Sequence, residues 1–105
     1  MPRQNDEMRV GVAWYAEAEW GRLRQMAADP DVLESTYAEW LQVAEKGLRD
    51  LAAAGVLAER IHVKVADLQR WCEQEGRQLD GSARSDFAAE LLRRRYEGTS
   101  GTSGA

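Results

Sequence analysis

The stretch "RIHVKV", Arg60–Val65, decides the fold. Ile61, Val63 and Val65 fall on one side of an extended chain, and Arg60, His62 and Lys64 on the other. This period of two, in β-branched residues, predicts a short strand over 60–65. Only one other stretch has the same alternation. In "RVGVAW", Arg9–Trp14, the residues Val10, Val12 and Trp14 share a face, opposite Arg9, Gly11 and Ala13. If the two segments pair, the chain is an α+β domain; if they fail to pair, it is an all-α helical bundle. The long gap between them permits parallel or antiparallel pairing. A two-stranded sheet is marginal alone, so helices must cover it.

Working outward, the rest of the chain reads as helix. Trp20, Leu23 and Ala27 recur at helical spacing over 17–28, with Met26 beside them and Glu19 and Arg22 one turn apart on the wet side. In "DPD", Asp29 can cap and Pro30 suits the first helical position, where its missing N–H has no partner in any case. The helix expected from there carries one long apolar stripe: Leu33, Tyr37, Trp40, Leu41, Ala44, Leu48, Leu51 and Ala52. Glu45 and Arg49 make an outward i,i+4 pair, and Gly47 is a weak spot costing about 1 kcal/mol against alanine. Gly55 fits the position just past the helix end, with Val56 closing it. After the second strand, Asp67 is expected to cap a short helix, 68–75, ended by Gly76. Asp80 or Ser82 opens a last helix, 83–96, with Phe87, Ala88, Leu91 and Leu92 inward and Glu90–Arg94 outward. The expectation is a single helix-dominated α+β domain over residues 8–96, in the order β-α-α-β-α-α. A disordered 1–7 precedes it, and a flexible Gly/Ser/Thr tail, 97–105, follows.

Composition narrows the function classes. The chain has 105 residues, 44% apolar and 30% charged, an ordinary globular mix of one domain's size. Its longest apolar run, Leu51–Ala58, is far short of the roughly 18 residues of a membrane span. The N-terminus lacks an apolar leader, and one cysteine allows no internal disulfide; both favour a cytoplasmic setting and no membrane partner. The net charge of −4 and pI of about 5.0 argue against nucleic acid as the main partner.

No motif of catalysis, nucleotide binding or metal ligation is present, and no cofactor is expected. Cys72 lies at i, i+3, i+4 with Leu68 and Trp71, in the carbonyl-end half of its helix beside Glu73 and Glu75. These surroundings oppose a thiolate, so Cys72 reads as packing. His62, the only histidine, reads as a surface residue. Arg93-Arg94-Arg95 complements the carbonyl end of the last helix; an anion-contacting patch, helped by Arg22 and Arg24, is the alternative. Arg84 stands at the positive end of that helix and needs an offset, from Asp80, Asp86 or another acid across the fold. A ligand-anchoring role for Arg84 is its alternative.

Four tryptophans and three tyrosines against one phenylalanine are the last feature. Trp14, Trp20, Trp40 and Trp71 all fall on apolar faces. Rings left partly exposed there would form an interface, since Trp, Tyr and Arg dominate binding hot spots. The expected function is therefore a non-enzymatic interaction module that binds a protein partner or itself through Trp14, Trp20, Tyr37, Trp40 and Arg84. The alternative is a small-molecule or anion-binding protein, or a cryptic enzyme, with a pocket of Arg84, Asp80 and an aromatic wall. In texture, "VAWY…EW…L…D…TYAEWL…G…VKV…L…WC…G…LDGSAR" resembles small bacterial proteins of uncharacterised function. That resemblance spans most of residues 10–92 and rests on packing residues. It implies a bacterial cytoplasmic origin and carries over no catalytic residue.

Overall fold

The computed structural model describes the backbone of residues 9–104 and the side chains of residues 9–97. The expected disordered segment 1–7 lies outside the described residues, as do the side chains of the tail beyond residue 97. The strands do pair. β1 (Arg9–Trp14) and β2 (Leu57–His62) form a two-stranded parallel sheet, in a register that sets Gly11 beside Glu59, Ala13 beside Ile61 and Trp14 beside His62. Parallel pairing requires a long crossover. Here it is α1 (Glu17–Met26), a 3-10 turn (Pro30–Val32) and α2 (Tyr37–Ala53); α3 (Val65–Glu75) and α4 (Gly81–Gly104) follow β2. The result is a helix-dominated α+β domain, and the all-helical alternative falls. No helix among the described residues is long and apolar enough to cross a membrane.

The core lies between the sheet and helices α1, α3 and α4. Leu23, Val65, Leu68, Ala83 and Ala88 are fully buried there, with Trp20, Ile61, Val63, Phe87 and Leu92 around them. Each large aliphatic residue buried this way stabilises the fold by about 1.5 to 3 kcal/mol. Cys72 is in this core, 4% exposed. Burial pushes its thiol above the ordinary range, with nearby Arg77 pulling the other way. Cys72 is thus a packing residue, as its helical spacing predicts.

Several boundaries differ from the sequence reading, among them the end of α1, at Met26 rather than 28. The second strand is 57–62 rather than 60–65, although Ile61, Val63 and Val65 are all buried as the alternation requires. The extended run stops because the Glu19 carboxylate accepts a hydrogen bond from the Val65 N–H at 2.7 Å, which starts α3 there. Glu19 is therefore a long-range helix cap rather than half of a wet-side pair. Asp67, the expected cap, sits inside the first turn of α3 and pairs with Arg70 at 3.2 Å.

The helix expected from Asp29 breaks into the 3-10 turn and then α2. Asp29 caps nothing locally, because its carboxylate is engaged across the fold. The helix restarts at a capping box. Thr36 Oγ1 accepts from the Glu39 N–H at 3.1 Å, and Glu39 Oε1 accepts from the Thr36 N–H at 3.3 Å. The ion pair on α2 is Lys46–Asp50 at 2.8 Å, not Glu45–Arg49. The apolar stripe of α2 is only half-buried, Ala52 is exposed, and no residue of α2 is fully buried. α4 runs Gly81–Gly104, longer than the expected 83–96. Gly55 and Gly76 take the left-handed conformation just past α2 and α3, with φ of 84° and 67°, as their positions predict.

The arginine run at 93–95 lies inside α4 rather than at its carbonyl end, and each of the three pairs with an acid. Arg93 pairs with Glu90 and Glu97, Arg94 pairs with Glu90 at 2.9 Å, and Arg95 pairs with Glu59 of β2 at 2.7 Å. Glu59 also accepts from Tyr96 and Arg9, and these donors, Tyr96 first, hold its carboxyl below the ordinary range. This cluster ties α4 to the sheet.

Candidate binding site

Trp40, in the first turns of α2, is the hub of an aromatic cluster. Its ring lies 5.2 Å from Trp14, 5.2 Å from Trp20, 5.3 Å from Tyr37 and 5.6 Å from Tyr15, centroid to centroid. Offset and edge-on contacts of this kind add about 0.5 to 1.5 kcal/mol each beyond area burial. Of the residues that the sequence pointed to as an aromatic interface, Trp14 and Trp20 are interior, at 7% and 4% exposure. Tyr37 and Trp40 are half-buried. On its sheet face Trp14 is covered by the Arg60 guanidinium, 4.7 Å from the ring centre. The tryptophans therefore do not form one exposed patch. Trp40 alone among them reaches a cavity with Arg84.

That cavity has a volume of about 390 Å³ and lies along β1. Gly11, Val12 and Ala13 form its floor. Trp40 and Leu33 stand on one side, and Gly81, Arg84 and Ser85 of α4 on the other, with Tyr15 also in the wall. α4 comes this close because residue 11 has no side chain. A Cβ on Gly11 would meet the Ala88 carbonyl oxygen and Ile61 Cγ1 at 3.0 Å and Leu92 Cβ at 3.1 Å.

The floor is the open edge of the sheet. The Val63 N–H donates to the Trp14 carbonyl at 2.9 Å, so the residues of β1 in phase with Trp14 bond to β2. In a parallel ladder the alternate residues turn both backbone groups away from that partner. Gly11, Ala13 and Tyr15 thus present N–H and C=O to the cavity side. Tyr37 Oη donates to the Tyr15 carbonyl at 2.8 Å, filling one of these places from within the domain. Gly11 and Ala13 have no equivalent partner among the described residues.

Arg84, 9% exposed, is fixed by a bidentate pair with Asp29, at 2.8 and 3.2 Å. The offsetting acid is therefore the one across the fold, not Asp80 or Asp86. Asp29 also accepts from the Gly81 N–H at 2.9 Å, and these hydrogen bonds, Arg84 first, hold its carboxyl below the ordinary range. Asp80 accepts from the Ala83 N–H at 2.9 Å and so caps α4, while Asp86 pairs with Arg77 at 2.9 Å. Asp80 is not part of the cavity wall. The Tyr15 hydroxyl is buried without a partner among the described residues, and burial pushes its pKa up to about 12, against the pull of Arg84. It stays protonated at neutral pH and can donate.

The arrangement is a half-open slot with unused backbone groups, one orphan hydroxyl donor, an indole wall and a charge-neutral Arg–Asp pair. It contains no nucleophile–base pair. Among the described residues no three His, Cys, Asp or Glu side chains gather to hold a metal ion. Of the residues that the sequence singled out for binding, Trp40 and Arg84 line this cavity; the edge itself, Asp29 and Tyr15 were not among them. The odd-numbered phase of β1 was the available signal for the edge. No family model, curated protein or solved structure matches the chain.

Proposed function

We propose that the domain is an interaction module whose slot takes an extended segment of a partner protein as a third strand on β1. The observation that carries this reading is the open edge at Gly11 and Ala13, set between the Trp40–Leu33 wall and the N-terminal turn of α4. In strand addition the backbone hydrogen bonds supply affinity, and pockets for alternate side chains supply specificity. The partner's side chains on the α2 side meet Trp40 and Leu33 and are apolar. Those on the α4 side meet Ser85 and Arg84.

The neutral Arg84–Asp29 pair favours this reading over a small anionic ligand held by Arg84. Asp29 already occupies the guanidinium fork, so a second anion gains little net charge attraction and displaces an existing bidentate pair. The test is selection from a displayed library of random linear peptides, followed by challenge with Ser85→Trp. Ser85 is exposed and in the slot wall, so the indole fills the space without entering the core. Selected peptides are expected to lose binding to Ser85→Trp by more than about tenfold. Peptides that bind the variant as well as the parent would place recognition elsewhere.

A further inference from the structure

A second cavity, of about 450 Å³, shares no lining residue with the slot. It lies between α1 and the connection that follows, and is lined by Trp20, Gly21, Arg24, Gln25, Pro30 and Ser35. Two of its lining residues hold buried donors with nothing to donate to. The indole N–H of Trp20, a residue 4% exposed, has no acceptor among the described residues, and neither has Nε–H of half-buried Arg24 one turn further along α1. Arg24 makes no ion pair among the described residues; Arg22, Arg49 and Arg60 make none either, but those three are exposed, whereas Arg24 is half-buried. Arg24 sits in the last turn of α1, where the carbonyl end of the helix tolerates a cation without a carboxylate.

Each buried donor left without an acceptor costs about 1 to 3 kcal/mol, and more when the group is charged. The missing element is a set of acceptor oxygens carrying negative charge. Ser35 and Gln25 add two further side chains able to donate. We propose that this cavity binds a small oxyanion, a carboxylate or a phosphate, through Arg24 and the Trp20 indole N–H. The site goes beyond the strand-binding slot and does not depend on it. The residue available to anchor an anion is thus Arg24 rather than Arg84.

The test follows the four indole N–H resonances of the whole chain in proton–nitrogen correlation spectra. Trp20→Phe identifies the Trp20 signal by its loss. Sodium acetate and inorganic phosphate are titrated separately, against sodium chloride at matched ionic strength. The expected result is a saturable movement of the Trp20 signal with one or both oxyanions and not with chloride. Whichever saturates at lower concentration assigns the carboxylate or phosphate source. Arg24→Met is expected to weaken that saturation by about tenfold or more. Should Arg24→Met lose its dispersed indole signals, Arg24→Lys, which keeps the charge and loses the planar fork, is expected to weaken saturation while staying folded. An unsaturable or chloride-matched response, or variants that saturate like the parent, would overturn the site.

Discussion

At the scale of single residues, Asp29 organises more of the molecule than its place in "DPD" announces. It joins the 3-10 connection to the first turn of α4 through Arg84 and the Gly81 N–H. Replacing it by asparagine leaves a nearly buried guanidinium short of its counter-charge. Asp29→Asn is expected to cost about 2 to 3 kcal/mol in urea unfolding at neutral pH. The pH dependence has a definite sign. The folded-state pKa of Asp29 is lowered, so its stabilisation is present above the unfolded value, about 3.9, and is lost as pH falls through the lower folded value. The parent should therefore lose stability on acidification in that window, and the asparagine variant should lose less.

This residue also marks the limit of what the sequence could show. The need of Arg84 for an acid was legible, because an arginine at the positive end of a helix is locally unfavourable. Which acid answers it was not, since Asp80 and Asp86 are nearby in sequence and Asp29 is near only in space. Cys72 was legible because helical spacing alone turns it inward. Tyr15 was not, because its orphan hydroxyl exists only once α4 packs on β1.

At the scale of elements, periodicity found both strands and every α-helix, while tertiary contacts moved the ends. β2 closes three residues early because a carboxylate from α1 caps α3. The α2 start was written locally, in Thr36-x-x-Glu39, but the nearer Asp-Pro signal masked it. Thr36→Ala should lower stability by about 1 kcal/mol, read as a lower thermal midpoint. Gly47, in the middle of α2, meets nothing within 4 Å of where a Cβ would stand. It serves neither close packing nor a special conformation, so Gly47→Ala should raise stability by about 1 kcal/mol in the same assay. The stripe on α2 predicted burial that the fold only half provides, because pattern reports which face turns inward and not how much protein awaits it.

At the scale of the whole molecule, two short parallel strands leave an edge that a larger sheet would cover. Native proteins blunt such edges with short strands, charge or covering segments. Here the domain supplies one edge donor itself, Tyr37 to the Tyr15 carbonyl, and stops there. The next two outward-facing residues, Gly11 and Ala13, line a slot walled by an indole, an aliphatic side chain and a neutral ion pair. Strand addition accounts for those features together. The anion cavity at Arg24 is a separate property of the α1 side, and either can fail without the other.

The most direct test of the central claim is amide hydrogen exchange at Gly11 and Ala13, with and without a peptide selected on the parent domain. The account predicts that both amides exchange readily in the free protein and become protected in the complex, while Val12 and Trp14, already bonded to β2, change little. A tightly bound peptide that leaves Gly11 and Ala13 exchanging as in the free protein would contradict it.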